Sequence, residues 1–341
     1  MKILKNYVEK EKICQIVTDI GRKSMKYVGI DIGGTQLRTA IFDEQQRMIE
    51  CFKIKNDLEL SARANVDKLI NFIMSKEYQY GGIGIGCPGP LDTKNGRILT
   101  PPNLKGWDYF EISDYVKQKT GVKTILNNDA NLAGVAEATL GTGKGYNSVF
   151  FVGISTGIGG AYIYEGKLVN GANSNAAEIW NMIVSEDEGE NENINKGTLN
   201  ERSSGRALAE IAKKTYGRKI DSKQLFELYS QNDSIAEKIV GRAADILAKG
   251  IANITCMVDP DIIVVGGSVA LNNPSFVNLI IKYTNKYVLF PEKLKIELAS
   301  FGDDAGLVGA SLLAMEEVKN TDIACKNNRI MLKKIYKYKK S

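Results

Sequence analysis

A chain of 341 residues, 43% hydrophobic and 25% charged, is long enough for two domains with a core apiece and has the composition of a soluble globular protein. It carries no histidine, which excludes mechanisms built on a Ser–His or Cys–His pair and removes the commonest zinc ligand. The net charge of +5 sits at the ends, with seven basic and three acidic residues in 1–26 and seven basic and none acidic in 326–341. The body between them is net negative by six, which argues against DNA or another nucleic acid as a partner.

A general base must therefore be a carboxylate, or else Lys, Tyr or Cys. The five cysteines (Cys14, Cys51, Cys87, Cys256, Cys325) show no C-x-x-C spacing and read as reduced packing thiols of a cytoplasmic protein, so no zinc site is expected. No stretch is long enough to span a bilayer. Ile13–Ile20 is broken by Gln15 and Asp19 and lacks a small-residue cleavage site, so neither a membrane anchor nor a secretory signal is expected.

In chain order, residues 1–24 read as a short amphipathic helix ending near Gly21. Met25 stands directly before the first strand and offers an alternative start that would make this extension dispensable. Strands are predicted at Tyr27–Ile32, Arg38–Phe42 and Met48–Lys55. A helix follows over Leu58–Lys76, with Val66, Leu69, Ile70 and Ile73 at helical spacing, and then a buried strand at Gly82–Gly86. Cys87–Gly106 reads as a loop, Glu111–Thr120 as a helix and Lys123–Leu126 as a strand. Asn127-Asn128-Asp129 leads directly into a helix at Ala130–Leu140. The plan then repeats: a strand at Asn147–Ile154, a glycine turn at Ser155–Gly160, strands at Ala161–Tyr164 and Leu168–Val169. Glu186–Lys196 is acidic and Asn-rich and reads as a mobile surface loop. Ile262–Val265 is a buried strand ending in Gly266 and Gly267, the position where parallel α/β sheets bind ligands. Lys326–Ser341 reads as a solvated, frayed end.

The chemistry centres on Asp31-Ile32-Gly33-Gly34-Thr35. Two adjacent glycines allow φ > 0 and a close approach to an anion. Their N–H groups and the Thr35 hydroxyl can then face phosphate oxygens, and Asp31 is a hard oxygen donor suited to Mg²⁺ held through water. Alone, this is equally an ordinary hairpin turn. Its counterpart, Ser155-Thr156-Gly157-Ile158-Gly159-Gly160, makes two matching turns around one cleft.

With further landmarks in order, the sequence resembles the ROK family of repressors, open reading frames and sugar kinases. These landmarks are Gly86-Cys87-Pro88-Gly89-Pro90, Pro102-Asn103-Leu104 with Trp107, Asn127 to Asn131, Gly153 to Gly160, Gly171-Ala172 with Glu178, Gly266-Gly267, and Gly306 to Ala310. The match runs from about Lys26 to Met315. The resemblance implies an α/β, actin-like ATPase (ribonuclease H-like) fold with two domains around a nucleotide and sugar cleft. The expected division is a helical extension at 1–24, an N-terminal α/β domain at 25–128 with a C-terminal helix near 306–320 packing back on it, a second α/β domain at 129–305, and a basic tail at 321–341. Repressor members carry a DNA-binding domain ahead of the first glycine turn. The segment here is too short for one, so the kinase branch is expected.

The implied activity is ATP- and Mg²⁺-dependent phosphorylation of a hexose, at O6 by default, as in a glucokinase. The alternatives are a kinase for N-acetylmannosamine, N-acetylglucosamine, fructose, allose or a β-glucoside, or a non-catalytic sugar-binding regulator. Asp129 becomes the candidate general base, although it equally suits an N-cap. Asn103, Asn128, Gly89 and Glu178 become candidate sugar ligands. The competing explanations are turn chemistry for the asparagines and helix-dipole stabilisation for the glutamate. Asp31, Gly33, Gly34, Thr35, Thr156, Gly157, Gly159, Gly266 and Gly267 are assigned to the nucleotide, Gly160 and Gly309 to packing, and a homodimer is expected by family analogy. Two departures stand out. Family kinases follow the glutamate with Gly-His and then a cysteine zinc motif, whereas here Glu178-Ile179-Trp180-Asn181 is followed by Glu186–Lys196.

Overall fold

Three antiparallel strands, β1 (Lys26–Ile32), β2 (Gln36–Phe42) and β3 (Met48–Lys55), open the described part of the chain. The computed structural model describes residues 24–186 and 195–319. The predicted N-terminal helix, most of the acidic segment and the basic tail lie outside them. Val28, Ile30 and Ile32 are all but inaccessible, whereas β3 alternates between exposed and half-buried residues, as a sheet edge should. Helix α1 (Ala62–Met74) starts at Ser61, whose hydroxyl accepts the Ala64 N–H, and buries Val66, Leu69, Ile70 and Ile73. Strands β4 (Tyr80–Cys87) and β7 (Thr124–Asn128) run parallel to β1, giving the order β3-β2-β1-β4-β7. The segment predicted as plain loop after β4 contains a small hairpin, β5 (Leu91–Asp92) with β6 (Arg97–Ile98), where two strands of two residues are too short to leave a periodic signal. Trp107 is buried beside Phe110 in this half's core. Helix α2 (Ile112–Thr120) ends at Gly121, whose φ of 72° provides the left-handed cap.

The second half repeats the topology. Strands β8 (Ser148–Ile154), β9 (Ile158–Tyr164) and β10 (Lys167–Leu168) are antiparallel neighbours. Strands β11 (Ile262–Gly266) and β12 (Ile296–Leu298) add in parallel, in the order β10-β9-β8-β11-β12. Between β10 and β11 come α4 (Leu199–Ser203), α5 (Gly205–Tyr216), α6 (Ser222–Ser230) and α7 (Ser234–Val258). Helices α8 (Ser268–Asn272) and α9 (Pro274–Thr284) precede β12. Among the described residues no helix is long and apolar enough to cross a membrane. Cys51, Cys87 and Cys256 are free thiols.

Two helices join the halves. Helix α3 (Asp129–Thr139) leaves β7 without a loop, one residue earlier than predicted, and packs on β8 and β9 of the other sheet. Gly134 makes this possible, since a Cβ there would lie 2.5 Å from that of Ala161. Helix α10, residues 305–319, lies on the first sheet, where Gly29 and Gly84 leave room for the backbone of Leu307 and Ala310. Its Gly309 faces the Leu132 carbonyl of α3, with no space for a side chain. Gly160 is likewise a packing glycine, against Ala177 and Ile179.

Candidate active site

The strand register brings the candidate residues to one end of the first sheet. Asp31 pairs with Gly86, Gly86 with Asn127, and Cys87 with Asn128, so these residues meet at the C-terminal ends of the parallel strands. β7 runs on through Asn127 and Asn128, two residues beyond the predicted end, because the ladder with β4 continues to Cys87. Neither asparagine is therefore a loop residue. The buried Asn127 accepts from the Asn128 N–H at 2.8 Å and from Asn131 Nδ2 at 2.9 Å. The N-cap of α3 is Asn128, whose Oδ1 accepts the Ala130 N–H at 2.9 Å. Gly89 lies beside Asn128, with its ideal Cβ position 3.6 Å from Nδ2.

Asp129 is thus the first residue of the helix, and its Oδ1 also receives the Ala130 N–H, at 2.8 Å. Its side chain is open to solvent at the mouth of the cleft but has protein around it on the remaining sides. Loss of hydration first, and then the negative charges of Asp31 and Glu178, push its pKa up to about 6 against the Ala130 hydrogen bond. A carboxylate titrating near 6 is ionised at neutral pH and holds a proton better than an ordinary aspartate. That is the behaviour a general base needs. Cys87, fully buried, has its thiol raised well above the ordinary range by burial and then by the charges of Asp129 and Asp31, so it remains a neutral packing group.

Asp31 has a partner that its sequence context alone did not suggest. Arg38, directly opposite in the β1–β2 register, donates Nη2 and Nε to Asp31 Oδ2 at 2.7 and 3.0 Å. The same guanidinium reaches the Asp303 carbonyl at 2.5 Å and the Asp304 carboxylate at 3.4 Å, just ahead of α10. Asp31 Oδ1 faces Gly86 and Gly306, whose missing side chains leave space around it. Among the described residues no group of three or more His, Cys, Asp or Glu is placed to hold a metal. One free carboxylate oxygen beside a donor-rich turn still suits Mg²⁺, which takes few protein ligands and keeps its waters.

The two glycine turns are braced alike. In the first, Asn56 Nδ2 donates to the carbonyls of Gly33 and Gly34 at 3.0 and 3.4 Å, and its N–H donates to the Thr35 carbonyl at 3.0 Å. In the second, the Gly205 and Arg206 N–H groups at the start of α5 donate to the carbonyls of Ser155 and Thr156, at 2.8 and 3.2 Å. Asn200 Oδ1 accepts the Ile158 N–H at 3.0 Å. The N–H groups of Gly34, Thr35, Thr156 and Gly157 have no partner among the described residues. Each turn thus spends its carbonyls on the protein and leaves donors over, an arrangement that favours an anion.

Several expectations change. Neither Gly33 nor Gly34 has positive φ; their value is space, since a Cβ on Gly34 would sit 2.8 Å from the Asn103 carbonyl. That contact places the exposed Asn103 at the first turn. β9 begins at Ile158, three residues before the predicted start, because its ladder with β8 closes at Ile154, so Gly159 is a strand residue packed on Ala130. Gly266 is also a strand residue, against the Phe151 ring. Only Gly267, with φ of 87° and no room for a side chain beside Ile154, needs glycine for its backbone.

Glu178 comes from the far side of the cleft. Its pKa is raised by burial, opposed by the hydrogen bond from Trp180 Nε1 at 2.5 Å. The loop before it reaches the first half twice, through Ser174 Oγ and Thr93 Oγ1 at 2.9 Å and through Asn170 Oδ1 and Asn127 Nδ2 at 3.5 Å.

A duplicated β-sheet frame, donor-rich turns and a carboxylate with a raised pKa fit a phosphotransferase on the actin-like ATPase fold, and its relatives make it a sugar kinase. The chain belongs to the ROK family, whose profile matches residues 27–317. It is 26% identical over 315 residues to a glucokinase of Thermotoga maritima, covering 86% of this chain and 98% of that protein. It is 30% identical over 303 residues to an N-acetyl-D-glucosamine kinase of Vibrio cholerae, covering 84% and 99%. A ROK hexokinase structure from Thermus thermophilus superposes with a TM-score of 0.81 at 31% identity, covering 87% of this chain and all of that one. A ROK family glucokinase from Streptomyces griseus, in complex with glucose and AMPPNP, gives 0.73 at 28%, covering 85% and 99%.

Proposed function

We propose that this sugar kinase transfers the γ-phosphoryl group of ATP to O6 of a hexose, with Asp129 as general base. The observation that carries the reading is the carboxylate itself. Asp129 sits at the end of a parallel strand, opens into the cleft, and has a pKa of about 6 set by burial, Asp31 and Glu178. Asn103, Asn128, Glu178 and the backbone at Gly89 hold the sugar so that the reacting hydroxyl reaches Asp129, which accepts its proton as the oxygen attacks phosphorus. The turns at Gly33–Thr35 and Thr156–Gly157 receive the phosphates, and Gly267 lies on the adenosine side. Gly159 and Gly266 serve these turns by packing rather than by contact. Asp31 would hold Mg²⁺ through its free oxygen, and the ion would neutralise charge on the nucleotide phosphates.

A specific observation favours a second acceptor class. Trp180 is bound to Glu178, and Asn181 Oδ1 accepts from Asn195 Nδ2 at 3.0 Å, so the two residues that stand where family kinases carry Gly-His are engaged by the protein beside the glutamate. An N-acetylhexosamine, as in the Vibrio cholerae relative, or a β-glucoside is the alternative substrate. The test is an ADP-release screen of hexoses, N-acetylhexosamines and β-glucosides, with ATP and polyphosphate as donors. Release with glucose and ATP above all others supports the first reading; preference for an N-acetylated or glycosidic sugar selects the second. Size-exclusion chromatography with light scattering tests the homodimer that we also propose.

A further inference from the structure

The four residues after Ala177 divide their side chains between different tasks. Ile179 is buried in the second core and packs against Gly160. Asn181 is engaged by Asn195. Glu178 and Trp180, the first and third residues, turn toward each other, and the indole N–H donates to Oε2. The half-buried carboxylate has its pKa raised by loss of hydration, and that hydrogen bond is the one interaction opposing the rise. Among the described residues no cation pairs with Glu178. Oε1 is left as the oxygen with no protein donor.

We propose that Trp180 is a positioning residue for sugar recognition: its indole N–H fixes the Glu178 carboxylate, leaving Oε1 to accept a hydroxyl of the bound sugar. This rests on the reading of Glu178 as a sugar ligand. The chemistry asks for a neutral donor at this place. A lysine or arginine would form an ion pair and compete with the hydroxyl for the carboxylate, whereas an indole N–H orients the oxygen and adds no charge next to Asp129. Trp180 also becomes a reporter. The chain has two tryptophans, and Trp107 is buried in the first core, so a change in emission on sugar binding should come from Trp180.

The test uses the full chain and the sugar that gives the highest ADP release in the screen. Trp180→Phe keeps a ring and removes the donor. The sugar KM is expected to rise roughly tenfold or more, with kcat and the ATP KM within about twofold of the parent, because the lost interaction serves binding rather than the transition state alone. Sugar-induced quenching should vanish, and the KM should begin to rise at a higher pH than in the parent, since Glu178 loses the donor that favours its ionised form. Trp180→His, which restores a neutral ring N–H once the imidazole is deprotonated, should recover part of the affinity at about pH 8 to 9. In combination with Glu178→Gln, Trp180→Phe should add little to the single-variant effect. A sugar KM within twofold of the parent in Trp180→Phe, or a lower melting temperature with unchanged KM and pH profile, overturns the proposal and leaves the kinase reading intact. Absence of both ADP release and emission change across the sugar panel overturns both.

Discussion

The two halves share one backbone and differ in what they place at its working end. Both sheets run antiparallel, antiparallel, parallel, parallel in the same strand order, and both put a glycine turn between their first two strands. Both turns have their carbonyls occupied and two N–H groups to spare. At the strand ends beside the first turn stand Asp31, Arg38 and the Asn127–Asp129 run. Beside the second stand Ile154, Ser155, Gly266, Gly267 and Ser268, with Ser155 Oγ and Ser268 Oγ 3.0 Å apart. Apart from Glu178, the first half therefore supplies the charge and the second supplies neutral donors and shape. A duplicated fold can divide labour this way because the ladder fixes backbone geometry whatever the side chains at the strand ends.

The most severe way to break the comparison is to remove the charge. Asp129→Asn is expected to lower turnover by about 10²–10⁴-fold while sugar binding persists, measured by ADP release alongside a binding titration. Turnover within a few-fold of the parent would remove Asp129 from its role. The same variant should melt higher than the parent at pH 8. A carboxylate whose pKa is raised from 3.8 to about 6 on folding costs stability when ionised, so the gain builds as pH rises from about 4 through about 6 and vanishes below about 4.

A second test asks whether the two braces are equivalent. Asn56→Ala frees the carbonyls of Gly33 and Gly34, and Asn200→Ala leaves the Ile158 N–H unpaired. Each should cost about 1–3 kcal/mol in thermal unfolding and raise the ATP KM with little change in the sugar KM. If only one variant affects ATP, the turns do not share the nucleotide. A third test concerns coupling within the charged end. Asp31→Asn removes the like charge facing Asp129, so the Asp129 pKa, followed by carboxyl NMR titration, should fall below that of the parent. No movement would place the two carboxylates in separate electrostatic environments. The smallest expected effect lies far from the cleft. Helix α2 ends on Gly121 in the left-handed region, whereas α7 ends on Asp259 at φ of 40°. Asp259→Gly should stabilise the protein by about 0.5–1 kcal/mol in a melting experiment and leave kinetics unchanged.

Much of this arrangement is legible in the sequence, and the gaps have physical reasons. The turns announce themselves because glycine is needed where backbones approach closely, and Asn127–Asp129 because polar residues interrupt an apolar strand just before a helix. Arg38 could have been found: once the hairpin register is drawn, it is the residue opposite Asp31. Asn56 and Asn200 could not, because one asparagine among polar neighbours carries no periodic signal and its partners are 22 and 42 residues away. The start of β9 is hidden in the sequence because Gly159 and Gly160 read as turn residues, while the packing that requires them involves Ala130 and Ala177 from distant segments. Trp180 illustrates the same limit. Its position in the sequence shows a departure, and only the fold shows that the indole reaches Glu178.

Helix α3 has one further consequence. Its cap, Asn128, is held in the first sheet, and its body lies on the second. The chain crosses from one sheet to the other at the peptide between Asn128 and Asp129, and crosses back ahead of α10. If the sheets rotate at the first of these crossings, as we propose for sugar entry, the proposed base swings away from the asparagines that flank it, and closing brings them back into register. On that proposal the open form is disarmed, and water entering the unliganded cleft meets the proposed phosphate donors without an aligned base.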